Sequence, residues 1–149
     1  MSHASPEMRN FAKRLILYEE NGNKSAKTKV LDVFSVCEKL RPPLATLAGN
    51  IGFRALLSRA LVLAGEEVAW LRAVHVKSDG SLEGLEEVHA QLSPEVLFEG
   101  KVFLLAQLLG LLVAFIGENL TLRLVREVWP QAPLDDLNLS TGNKNEKTK

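Results

Sequence analysis

The residues able to do chemistry are few: three histidines, one cysteine and a scatter of carboxylates. Glu86-x-x-His89 has the spacing that sets a carboxylate and an imidazole on one helical face, as in di-iron helical bundles. That chemistry needs two such pairs and two further glutamates, because two metals share bridging carboxylates. The chain has a single pair, so Glu86, Glu87 and His89 read as the solvated side of a short helix, and no metal site is expected. Cys37 has no histidine near it in sequence to lower its pKa, and no Gly-x-Ser-x-Gly elbow is present. Gly49-Asn50-Ile51-Gly52 lacks the lysine and the preceding strand of a phosphate-binding loop. His3 lies near the terminus, and His75, beside a turn, reads as an edge-ribbon side chain. No catalytic residue and no cofactor follow from these types and spacings.

Polar residues set into apolar stretches are the candidate site: Asn50, Arg54, Arg59, Glu118, Asn119 and Arg123. Glu118 and Asn119 come directly after an all-apolar run, so a partly desolvated carboxylate is expected there. It would need a cation, and Arg54 or Arg59 supplies one where the two segments pack. One reading is an internal ion-pair network that fixes helix register. The other is a polar pocket that binds a small ligand. The first is favoured, because buried charges are usually paired.

Charge excludes a generic polyanion binder, since 18 basic residues balance 18 acidic ones. Lys24, Lys27 and Lys29 form the one basic cluster, around a helix start, without interleaved aromatic residues. Nucleic-acid affinity draws on many neutralised phosphates, so that footprint is too thin and nucleic acid is not an expected partner. Residues 1–41 are net basic and 42–101 net acidic, an asymmetry that can pair within the fold or across a dimer.

The elements that position these residues read as helices. Ser5-Pro6-Glu7 combines a hydroxyl cap, a proline and an acid, and Met8, Phe11, Leu15 and Tyr18 then recur at helical steps to Gly22. A second helix capped by Ser25 carries Val30, Val33, Phe34, Cys37 and Leu40 and should stop at Pro42-Pro43. Residues 1–41 are thus expected to form a helical hairpin. The middle helices, 44–92, comprise a heavily apolar one to Ala64 with a kink near Gly49-Asn50, a short one around Trp70, and one from Leu82 to Leu92. Val74-His75-Val76 alternates like a strand before the turn Ser78-Asp79-Gly80-Ser81, so a minor ribbon is expected near residues 74–81. Ser93-Pro94-Glu95 launches the longest helix, 94–129, with a break near Gly100 or Gly117 left open. Residues 138–149 are polar and aperiodic and read as a disordered tail.

The run from Val102 to Ile116 is apolar around its whole circumference, so it must be surrounded by lipid or by other helices. Fifteen residues cover about 22 Å, whereas a bilayer core needs about 30 Å. Glu99, Lys101 and Glu118 bound the run, and amphipathic helices elsewhere in the chain need a partner. A soluble core helix is therefore the favoured reading, and no basic face was identified to recommend surface attachment to a membrane. Ala106, Gly110 and Ala114, set against Ala48, Gly52 and Ala55, suggest that two small-residue stripes face each other. In that packing Gly110→Leu would overpack the contact.

At 149 residues and 46% hydrophobic, the chain can bury one sizeable core, and a single cysteine rules out a disulfide scaffold. The expected fold is all-α: a compact bundle of about five or six helices around one long apolar C-terminal helix, forming a single domain over 1–137. No signal-like segment is seen at the amino terminus, and a cytoplasmic home is expected. The expected function is a non-enzymatic helical interaction module, a homodimer or a binder of a protein partner. The alternatives are a ligand-binding or enzymatic bundle with a polar pocket around Arg54 and Glu118, and a membrane-associated helical protein, the latter disfavoured.

Overall fold

The computed structural model describes residues 6–22, 35–79, 82–84, 87–88 and 90–130. Four helices and one two-stranded ribbon make up the described residues, in keeping with an all-α fold: α1 (Pro6–Gly22), α2 (Ser35–Gly65), a 3-10 turn (Ala69–Ala73), β1 (His75–Val76), β2 (Leu82–Glu83), α3 (Pro94–Ile116) and α4 (Glu118–Val128). The five or six helices expected are not all seen among the described residues.

α1 follows its sequence pattern: Met8, Phe11, Ala12, Leu15 and Ile16 are buried, and Lys13 and Arg14 face solvent. Its partner is α3, where the Arg9 guanidinium lies 5.5 Å from the Phe103 ring centre. α3 starts as its sequence announces. Ser93 is the N-cap, its hydroxyl accepting from Val96 N at 3.3 Å, with Pro94 at the first position and Glu95 in the first turn. Leu104, Leu105, Ala106, Leu108, Leu109 and Leu112 are all but fully buried, so α3 forms the centre of the core.

Two expectations are corrected. Pro42-Pro43 does not stop a helix, since α2 runs through it. Two backbone donors are lost there, and Leu40 and Leu44, both fully buried on either side, supply the compensating burial. The helix capped at Ser25 lies outside the described residues up to position 34, with Cys37 and Leu40 inside α2, and the basic cluster at Lys24–Lys29 and the tail lie outside them entirely. The stretch from Leu82 to Leu92 does not begin as a helix: Leu82 and Glu83 pair with Val76 and His75 in an antiparallel ribbon, and Glu87 and Val88 are its helical residues among those described. Of the two breaks open to the long helix 94–129, at Gly100 and Gly117, the one formed is at Gly117, where α3 gives way to α4.

Both helix breaks rest on glycine. Gly49 has φ 80, ψ 165 and Gly117 has φ 92, ψ 160, regions essentially closed to residues with a side chain. At Gly49 the chain bends sharply. Arg41 lies 5.3 Å from the Phe53 ring centre, although twelve residues of straight helix would separate them by about 18 Å. Arg41 also donates to the Asp79 carbonyl at 3.0 Å, tying the ribbon's turn to α2. The far end of α2 is closed by Arg72, whose Nε donates to the Gly65 carbonyl at 2.9 Å. Trp70, just beyond, packs on Gly100 of α3, where any Cβ would collide with the indole.

Candidate functional site

The six sequence candidates fall on two helices and differ in exposure. Asn50 follows the Gly49 bend and is exposed, as are Arg59 on α2 and Asn119 and Arg123 on α4. Arg54 and Glu118 are half-buried. Glu118 opens α4, where a carboxylate is favoured by the positive end of the helix. Arg54 lies one turn after the bend, and its Nε is enclosed without an acceptor among the described residues. α4 packs on both α2 and α3, so the two groups belong to neighbouring elements. With four of the six facing water, they do not form an enclosed polar chamber.

A polar residue that the sequence reading passed over is more deeply set. Gln107 is 4% exposed in the middle of the apolar run, and its Nε2 has no acceptor among the described residues. Its signal in the sequence is that it interrupts fourteen apolar or glycine neighbours. Thr121, fully buried, is satisfied locally: its hydroxyl donates to the Gly117 carbonyl at 2.8 Å and closes the first turn of α4.

The facing small-residue stripes are not formed. Ala55 and Ala114 are exposed, and a Cβ at Gly110 would meet nothing within 4 Å. The close helix contact lies instead at Gly100, against Trp70.

The more telling surface is apolar. Ile51 is 74% exposed, Phe115 59% and Val62 57%, with Leu47 and Leu120 also in solvent. Only 33% of the most apolar stretch of α2 is buried, against 56% for α3, so α2 keeps apolar surface that its own fold does not cover. After the bend, Phe53, Leu57, Ala60 and Ala64 face the core. Ile51, Ala55, Ser58 and Val62 face outward, within about 60° of arc at 3.6 residues per turn. Arg54 and Arg59 stand on opposite flanks of that outward stripe. Both faces of one helix are thus apolar, and one of them is wet.

In comparisons with protein-family models, with curated proteins and with solved structures, nothing matches this chain.

Proposed function

We propose that the chain is a non-enzymatic helical interaction module that binds protein through apolar helix surface left outside its own core. The observation that carries this reading is the exposure of Ile51, Val62 and Phe115 on a chain whose core is otherwise filled with leucine. Burying a side chain of this size is worth about 1.5–3 kcal/mol, so each one left in solvent is a reserve of binding energy. The proximity of Ile51 and Phe115 follows from the helix directions. Trp70, just past the end of α2, rests on Gly100 near the start of α3, so two packed helices run in opposite senses from that point. The run back to Gly49 and the run forward to Ile116 each cover about 24 Å at 1.5 Å per residue. The two glycine breaks, with Leu47, Ile51, Phe115 and Leu120 around them, therefore share one end of the bundle.

The test is site-specific photo-cross-linking in the cells that make the protein. A photoreactive amino acid at Ile51, Val62 or Phe115 is expected to trap protein adducts, and one at exposed Lys77 is not. Adducts at twice the chain mass identify a second copy, and other masses a distinct partner. No protein adduct from any of the three positions contradicts the reading.

A membrane-associated helical protein is the second reading. It is favoured by two helical stretches, Lys39–Gly65 and Pro94–Ile116, long and apolar enough to cross a bilayer. Lipid adducts in place of protein ones would support it.

A further inference from the structure

From the outward face of α2 we infer that the module's partner is an amphipathic helix flanked by acidic residues, laid along Ile51, Ala55, Ser58 and Val62. The inference rests on the interaction-module reading and specifies its site and partner.

The spacing of the four residues comes first. Steps of four, three and four are those of a heptad seam, and they span three turns, about 16 Å. The large side chains, Ile51 and Val62, stand at the two ends, with small Ala55 and Ser58 between them. That saddle admits the ridge of another helix at close axial distance. A bilayer would instead be met by bulky leucine and aromatic side chains, which the centre of the stripe lacks.

Charge then selects the kind of helix. From residue 39 to residue 65 the charged side chains are Lys39, Arg41, Arg54 and Arg59, with no carboxylate among them. Arg54 and Arg59 flank the stripe on its two sides, at the positions from which coiled-coil helices choose their partners. A second copy of this face would bring two arginines against two at less than a Debye length, so self-pairing is opposed. Glutamates or aspartates beside an apolar seam meet that requirement.

The experiment uses the whole chain and two synthetic helices, each about four heptads long with leucine at the seam. One carries glutamate at the flanking positions and the other lysine. Fluorescence anisotropy is expected to show binding of the glutamate helix, with the lysine helix binding at least about tenfold more weakly. Raising the salt should shrink the difference. The double substitution Arg54→Glu, Arg59→Glu should reverse the preference, and Val62→Asp should abolish binding of both while leaving the thermal melt in place. If Val62→Asp unfolds the chain, Ile51→Asp is the alternative seam variant.

No binding, equal binding of the two helices, or no reversal in the double variant overturns the inference. So does association with anionic phosphatidylglycerol vesicles in place of the glutamate helix. Self-association abolished by Val62→Asp, with neither peptide bound, also overturns it while leaving the interaction module standing. Cross-links from Phe115 alone, with none from Ile51 or Val62, would have the same meaning.

Discussion

At the scale of single residues, two glycines of α3 carry opposite expectations. A Cβ at Gly100 would run into the Trp70 indole, so Gly100→Ala should cost about 1–3 kcal/mol by overpacking. Because Trp70 is the obstacle, trimming it should relieve that cost: in a Trp70→Leu background the Gly100→Ala penalty should fall by half or more, read from denaturant midpoints in a double-mutant cycle. An undiminished penalty would mean that the contact is not what sets the glycine requirement. At Gly110 a Cβ meets open space inside a regular helix, so Gly110→Ala should stabilise by about 0.5–1 kcal/mol. The sequence suggested the reverse, because a small-residue stripe looks the same whether it meets a neighbouring helix or faces outward.

Helix ends and breaks decide the behaviour of the elements. Gly49→Ala should destabilise by about 1–3 kcal/mol, since the bend needs a backbone conformation that alanine avoids, and near-UV circular dichroism should report disturbed Phe and Trp packing. Arg72→Met keeps the aliphatic stem and removes the donor to the Gly65 carbonyl, so a loss of about 1 kcal/mol is expected in urea unfolding. The sequence reading succeeded where a local rule acts alone. The cap, proline and acid at Ser93-Pro94-Glu95 start α3, and glycine breaks helices at Gly49 and Gly117. It failed where burial overrides the local rule. Leu40 and Leu44 hold α2 through two prolines, and Leu82 pairs with Val76 although its own spacing to Leu85 and Val88 is helical. The candidate polar residues lie on α2 and α4, and their exposure was not legible in the sequence, because it depends on which side of each helix the core occupies.

For the whole molecule, one core cluster joins α1, α2, α3 and α4, with α3 at its centre. That arrangement uses one face of α2 and leaves the other, also apolar, to solvent. Which face would remain was not readable from composition, since Phe53, Leu57, Ala60 and Ala64 compete on nearly equal terms with Ile51, Ala55 and Val62 for burial. Stability and the proposed binding are thereby separable. Ile51→Ser should shift the melting temperature little, whereas Phe53→Ala should cost about 3–5 kcal/mol of stability. The most direct test is thiol labelling in a Cys37→Ser background, comparing Ile51→Cys and Val62→Cys with Leu57→Cys on the opposite face. Labelling of the outward pair at the rate of unfolded chain is predicted in the isolated protein, with the core position slower by a factor on the order of a hundred or more. Protection of Cys at 51 and 62 equal to that at 57 would contradict a free outward face on α2.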